Sequence, residues 1–383
     1  METERARFVF EAELSDLSHA ELCRRHNISR PTGYLWLERY QAEGLEGLRD
    51  RSHRPKSCAH ATSPEVVARI LQIRDQRGWG ARKIWKKLVD DPTIEIVPCV
   101  DTINRILRRE GRIEPGKPQR RREHAGPPLP ILPEPNSTWT ADFKGEFRTQ
   151  DGKLCFPLTI QDGFSRFLLE CRALLSTEVR ATMRRFRHLF REFGLPQRIR
   201  TDNGPPFAST AIAGLSQLSI WWISLGIIPE LIEPGKPQQN GRHERMHRTL
   251  KKETTRPARA NLRAQQSRFN EFRRVYNYER PHEALNLETP SVLYSPSTRP
   301  FTDRPPPLEY PAHFELRRVS GDSTLRWKNR KVFVSSLLKH DYVGLEQIDE
   351  DVWSVFYGPV HLGWLDELDY RIMDVKARSR RCR

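Results

Sequence analysis

The sequence predicts a multidomain chain: an all-α front of two helical units, a central α/β fold, and a small β-barrel at the C-terminus. Three observations predict it. Two proline-rich stretches without periodicity, "EPGKPQRRREHAGPPLPILPEPNS" at 114–137 and "PSTRPFTDRPPPLEYP" at 296–311, divide the chain. Proline removes backbone donors and favours extended chain, so both are expected to be linkers. Before the first, apolar residues recur at helical spacing; after the second, they alternate in short strand-like runs.

Composition sets the class of partner. The chain has 383 residues, with 65 Lys plus Arg against 49 Asp plus Glu, a net charge of +16. That balance favours polyanions over acidic small substrates, with nucleic acid first among them. "METERARFVFEAELSD" has no apolar core and is no secretory signal. No run approaches the ~18 apolar residues of a membrane span, so no membrane partner is expected. Cys23, Cys58, Cys99, Cys155, Cys171 and Cys382 are scattered without a CxxC pair. They point away from a cysteine zinc site and towards a reducing cytoplasm.

The front divides at 1–56 and 57–113. In "LSHAELCRRHNISRPTGYLWLERYQAEG" a short helix ends near His26-Asn27, and Ser29 caps a second with Pro31 in its first turn. Leu35, Leu37 and Tyr40 supply apolar positions, and Gly44 stops it. Two short helices and a tight turn meet the requirements of a helix-turn-helix. Arg30, Thr32 and Tyr34 would then stand where base edges of double-stranded DNA are read. "SPEVVARILQIRDQRGWGARKIWKKLVDD" with "VDTINRILRREGRI" repeats the unit, and "RDRSHRP" at 49–55 looks like an arm on phosphates.

The centre, 138–295, alternates strands and helices. "TWTADFKGEF", "KLCFPLTIQD" and "SRFLLECRAL" form three strands, with an Asp162-Gly163 turn between the last two. "STEVRATMRRFRHLFREFG" is a helix capped at Ser176-Thr177, with Met183, Phe186, Leu189, Phe190 and Phe193 on one face and Gly194 closing it. "PQRIR" is a fourth strand, leading into "RTDNGPPF". This order matches the start of a ribonuclease-H-like fold. Asn-Gly and two prolines make a stiff turn that holds Asp202 at a strand end.

Asp142, mid-way along the first strand, and Asp202 could then lie side by side. Glu244, on a helix starting near Gln238, would join them, with Arg248 and Lys251 on its face at i+4 and i+7. Three carboxylates suit Mg²⁺ or Mn²⁺, which prefer hard oxygen ligands, and a pair of such ions suits in-line phosphoryl displacement. Glu233 in the loop and Glu253 near the helix end compete with Glu244 but would be held less firmly.

The last block, 312–375, has Ser320-Gly321-Asp322 and Asp349–Asp351 as turns between four or five strands. A basic tail, 376–383, follows.

In this order, "WTADFKG", "IQDGFSRF", "RTDNGPPF" and "PGKPQQNGRHERMHRTLKKE" resemble the catalytic core of bacterial insertion-sequence transposases and retroviral integrases. The pattern is most like the insertion sequence 481 family and extends over most of residues 10–290. The resemblance implies a D-D-E polynucleotidyl transferase in which Asp142, Asp202 and Glu244 are catalytic and bind two Mg²⁺ or Mn²⁺ ions. It implies that Arg248 and Lys251 meet the DNA ends, and that 3′-end cleavage is followed by strand transfer into target DNA. It also implies a homodimer or higher synaptic assembly on double-stranded DNA, in the cytoplasm at the nucleoid. The interval 202–244 exceeds the retroviral one, and "LSQLSIWWISLG" fills it, with Trp221 and Trp222 expected in the core. The retroviral histidine–cysteine zinc module is absent from the sequence.

Three rival readings remain. "HERMH" is a literal H-E-x-x-H zinc-protease motif, but its arginine-rich helix lacks the apolar setting of a zincin. On the transposase reading His243 and His247 are expected on the helix surface, in solvent. Asp162 is expected as a turn residue, or as a support for the site. A domesticated DNA-binding regulator without chemistry would not need the three carboxylates, whereas a ribonuclease-H-like nuclease without strand transfer would share them.

Overall fold

A computed structural model describes residues 2–51, 61–113, 132–233 and 237–375. Most of the expected basic arm at 49–55, most of the 114–137 linker, and the tail from 376 lie outside the described residues. The chain divides into two compact units, Met1–Pro64 and Glu65–Arg383.

In the first unit α1 (Glu2–Leu14), α2 (His19–Arg25) and α3 (Arg30–Glu43) enclose a core of Phe8, Val9, Leu22, Cys23 and Leu48. The turn reads as the sequence dictates. Asn27 takes φ 51°, Ser29 Oγ accepts from Thr32 N at 3.4 Å, and Gly44 at φ 64° ends α3. Gly33 is where α2 and α3 cross: a Cβ there would lie 2.7 Å from Cys23 Sγ. Leu35, expected to pack, is 42% exposed, because the α3 face buried by this crossing runs through Gly33, Trp36 and Leu37 instead.

The second unit begins with α4 (Pro64–Arg77), α5 (Ala81–Val89) and α6 (Val100–Arg109), packed around Ile70, Ile84, Leu88, Ile103 and Leu107. The mixed central sheet follows. Its strands are β1 (Thr138–Phe143), β2 (Phe147–Arg148), β3 (Leu154–Asp162), β4 (Leu168–Leu174), β5 (Arg198–Thr201) and β6 (Ile228–Leu231). β3 pairs antiparallel with β1, β2 and β4, while β1, β5 and β6 run parallel. Parallel neighbours require crossovers, supplied by α7 (Val179–Phe193) and α8 (Gln217–Ser224). Phe186, Leu189 and Phe190 of α7 are buried against Trp139, Ile199 and Trp222. The α7 N-cap position is Glu178 rather than Ser176-Thr177, and Gly194 at φ 75° closes the helix.

Beyond the sheet come α9 (Gly241–Thr254), α10 (Leu262–Tyr278) and α11 (Pro290–Leu293). Met246 and Leu250 of α9 pack with Phe269 and Phe272 of α10 over Cys155 and Cys171. α4 and α5 meet this region through charge: Arg77 Nη2 lies 2.6 Å from Glu279, and Lys86 Nζ 2.9 Å from Glu288. The 296–311 segment has no helix or strand, yet it is not a free tether. Ser297 N donates to Phe193 O and Leu195 N to Arg299 O, both at 2.8 Å, and Phe301 packs on the central core.

The last block departs from expectation. β7 (Glu315–Arg318), β10 (Tyr342–Asp349), β11 (Val352–Tyr357), β12 (Val360–Asp366) and β13 (Arg371–Asp374) form an open antiparallel sheet in the order β13-β12-β11-β10-β7. β8 (Thr324–Trp327) and β9 (Arg330–Phe333) form a separate hairpin. Among the described residues no ladder joins the two, so the expected barrel is not closed. The hairpin still lies against both free edges, β8 beside β7 and β9 beside β13. The buried Glu367 carboxylate accepts from Trp327 Nε1 at 2.9 Å and Trp353 Nε1 at 2.8 Å, tying hairpin to sheet. α8 faces two ways: Trp222 enters the central core, whereas Ile223 joins Val343, Leu345 and Val355 under the open sheet.

Candidate active site

The strand ladder brings the first two carboxylates together. β1 and β5 are parallel with Ala141 opposite Thr201, so Asp142 and Asp202 are the next residues on neighbouring strands, at the same end of the sheet. Asp202 is fixed as its sequence implies. Its Oδ1 accepts from Gly204 N at 3.3 Å, Asn203 Nδ2 donates to Ile232 O at 2.9 Å, and Phe207 is buried against Trp222. A Cβ on Gly204 would sit 3.1 Å from Asp202 Oδ2, so the turn closes tightly over the carboxylate.

Glu244 comes from the first turn of α9, exposed, with Arg248 and Lys251 exposed on the same face. Its charge is felt at Asp142. Burial first, then the Asp202 charge and, more weakly, Glu244 push the Asp142 carboxyl up to about 7, against the opposing pull of Lys144 and Phe143 N–H. Burial also raises Asp202, which the Gly204 N–H partly offsets. Among the described residues none of the three is paired with a lysine or arginine. Carboxylate oxygens without a lysine or arginine partner are the hard donors that a divalent cation such as Mg²⁺ or Mn²⁺ prefers.

His243 and His247 are corrected by the structure. Both are buried, on the face of α9 pressed against the sheet, not in solvent. His243 Nδ1 lies 2.8 Å from Thr140 Oγ1 and its Nε2 2.7 Å from Thr159 Oγ1. His247 Nε2 lies 2.7 Å from the same Thr159 hydroxyl. Burial lowers His243 to about 3 and pulls His247 far down, so both are neutral. The signal was present as i, i+3, i+4 apolar spacing through His243, Met246, His247 and Leu250, masked by arginines between. Asp142, His243 and His247 do hold ligand atoms within 4.8 Å of one another. However, both His243 nitrogens are engaged by threonines, which removes the open zinc face a protease needs.

The remaining expected residues separate cleanly. Buried Asp162 accepts from Asn136 N at 2.8 Å, Ser165 N at 2.8 Å and Ser165 Oγ at 2.6 Å, which makes it a turn residue. Glu253 pairs with Arg280 at 2.7 Å, and Glu233 exchanges hydrogen bonds with Gln239, so both carboxylates have partners within the protein. In the first unit Arg30 and Tyr34 are exposed, and Tyr34 stacks on His19 with ring centroids 3.7 Å apart. The Thr32 hydroxyl is 2.7 Å from Ser29 Oγ, inside the cap.

Comparison with known proteins adds family. Residues 133–237 and 225–290 match integrase core domain families, residues 4–56 a helix-turn-helix domain, and residues 32–107 a homeodomain-like domain. The 31.7 kDa protein of insertion element IS407 from Burkholderia multivorans is 30% identical over 165 residues, 41% of this chain and 54% of that protein. The chain thus spans about half the length of that relative. The 39.2 kDa protein of insertion element IS476 from Xanthomonas euvesicatoria is 26% identical over 275 residues, 70% of this chain and 75% of that protein. The insertion sequence 481 family is not singled out by these relatives. Among solved structures, the HTLV-2 integrase catalytic core (TM-score 0.34, 18% identity) covers 42% of this chain and 98% of its own. The simian T-cell lymphotropic virus intasome (TM-score 0.37, 16% identity) covers 76% of this chain and 97% of its own.

Proposed function

We propose that this integrase-core protein, with helix-turn-helix domains in front, is the DNA transposase of an insertion sequence, acting on its terminal inverted repeats. The observation that carries the proposal is the β1–β5 register that sets Asp142 beside Asp202, with Glu244 close enough to raise Asp142. Asp142, Asp202 and Glu244 would hold Mg²⁺ or Mn²⁺, as two ions, beside the reacting phosphate. Bound there, such ions would supply Lewis-acid stabilisation of both the entering and the leaving oxygen.

The chain's own residues position the DNA. Arg248 and Lys251 lie against the backbone beside Glu244, and Arg30, Thr32 and Tyr34 read the inverted repeat. In the first step water attacks the phosphodiester at the element end, and the 3′-oxygen leaves as a free hydroxyl. In the second, that hydroxyl attacks a target phosphodiester, forming a new ester to the target 5′-phosphate while the target 3′-oxygen departs. No serine or tyrosine nucleophile is required. Joining two ends in one event calls for a homodimer or higher assembly. The working division is 1–56, 57–113, 138–295 and 312–375, with action at the bacterial nucleoid. Among the described residues no helix is long and apolar enough to cross a membrane.

The test is strand transfer with a labelled element end, a plasmid target and Mg²⁺ or Mn²⁺. Joining by the wild type that disappears in Asp202→Asn supports the chemistry and the residue together. End binding without cleavage in either metal would instead identify a regulator that has lost its chemistry. Joining that survives Asp202→Asn would remove Asp202 from the site.

A further inference from the structure

We propose that the cavity between α5, α9 and the end of α10 binds one backbone phosphate of the element's DNA end, with Lys83, Arg166, Arg242 and Arg245 as its ligands. This rests on the transposase reading above and adds a second contact region to it. The cavity holds about 180 Å³ and is lined by five cations, these four and Arg280, against one carboxylate, Glu283.

Two of the cations already have partners. Arg280 is committed to Glu253 at 2.7 Å, and Arg242 Nη1 donates to Gly163 O at 3.0 Å. Arg166 is the informative one. It takes φ 65° at the end of the Asp162 turn, and its buried Nε has no hydrogen-bond partner among the described residues. Arg166 lines the cavity with its acceptor set incomplete, so an anion that enters would add a charge-assisted partner to the guanidinium. Burial, then Arg242 and Arg245, pulls Arg166 below the usual guanidinium range. Burial and Arg280 lower Lys83 to about 8. Both effects reverse when an anion enters.

A phosphate matches the arrangement, because its oxygens accept several charge-assisted bonds at once and guanidinium forks suit them. Geometry favours DNA as its source. Arg242 and Arg245 stand two residues before and one after Glu244 on α9, on a different face from Glu244, Arg248 and Lys251, so the cavity would meet the duplex away from the cleaved phosphate. Lys83 belongs to α5, in the helical segment in front of the sheet. One phosphate therefore ties that segment to the catalytic helix.

The experiment uses the full chain. End-DNA binding is measured without divalent metal across a salt series for wild type, Arg166→Gln and Arg245→Gln. Each variant is expected to reduce the slope of log K on log salt by about 0.9 and to weaken binding roughly tenfold. A methylphosphonate at a single linkage should weaken the wild type and leave the variants unaffected. The Arg245 guanidinium is exposed and makes no hydrogen bond among the described residues, so Arg245→Gln stays informative should Arg166→Gln fold poorly. Wild type that binds and joins ends, beside variants with an unchanged slope, overturns the pocket alone. Wild type that neither binds nor joins overturns the transposase reading and the pocket with it. Inorganic phosphate raising the wild-type melting temperature, with no change in DNA slope between variants, would assign the cavity to a free anion and also overturn the proposal.

Discussion

His247 Nδ1 lies 3.6 Å from Asp142 Oδ2, so the helix that carries Glu244 is keyed to the strand that carries Asp142. Through Thr159 the same histidine is linked to His243 and back to β1. Replacing His243 with alanine opens a void and removes one hydrogen bond each from the Thr140 and Thr159 hydroxyls, which keep Gln161 O, and Asp142 O with His247, respectively. A loss of about 2–4 kcal/mol in unfolding free energy is expected, read from the denaturant midpoint, together with loss of strand transfer. A midpoint that hardly moves would mean the histidine pair does not join helix to sheet.

Asp142 should act against the stability of the metal-free protein. Its folded pKa, about 7, lies above its ordinary 3.8, so stability falls as pH rises through that window. Asp142→Asn cannot ionise. At pH 8 and without metal it is expected to be more stable than wild type by about 1–3 kcal/mol, the gap narrowing towards pH 4. Mg²⁺ should raise the melting temperature of the wild type and not of the variant, by preferential binding to the folded state. Calorimetry at two pH values, with and without Mg²⁺, decides it; a variant less stable throughout would refute the electrostatic account.

Acid should weaken the fold through its buried histidines. Burial lowers both His243 and His282 to about 3, below the ordinary 6.5. An unfolded chain takes up these protons first, so stability present above about pH 6.5 is lost progressively as pH falls towards 3. His282→Gln, which cannot charge, should flatten part of that decline in urea titrations between pH 7 and pH 4. An equally steep decline in the variant would assign the acid sensitivity to other groups.

Glu367 anchors two indoles, so Glu367→Ala leaves the buried Trp327 Nε1–H and the half-buried Trp353 Nε1–H without their acceptor. A destabilisation of about 2–4 kcal/mol is expected, with Glu367→Gln milder because an amide oxygen can still accept. Tryptophan fluorescence during unfolding should report it. Both variants unfolding like wild type would show that the hairpin is held by packing alone.

What could be read in advance follows the range of the interactions. Ser29, Pro31 and Gly44 define α3 by contacts within a few residues, and the Asn-Gly-Pro-Pro turn holds Asp202 in the same local way. His243 was misplaced because its partners, Thr140 and Thr159, are 103 and 84 residues away. Arginines on either side gave its helix the look of a wet surface. Barrel closure was over-read for the same reason: alternation reveals strands, but not whether β7 and β13 find each other or remain edges. The segment from 296 was expected to be loose because proline forbids regular ladders, although Ser297 and Arg299 still fasten it to the end of α7.

α8 also limits how this protein can be recombined with its relatives. Its Trp222 belongs to the core beneath the carboxylates and its neighbour Ile223 to the C-terminal sheet, so a single turn of helix is shared property of both. A chimera joined at residue 295 would pair one parent's sheet with another parent's α8, leaving Ile223 and Leu215 facing a surface shaped for different side chains. The natural unit of exchange therefore includes 215–223 with everything after 312, although in the chain the two are far apart. Homologues that lack this helix should carry either no such sheet or one placed elsewhere.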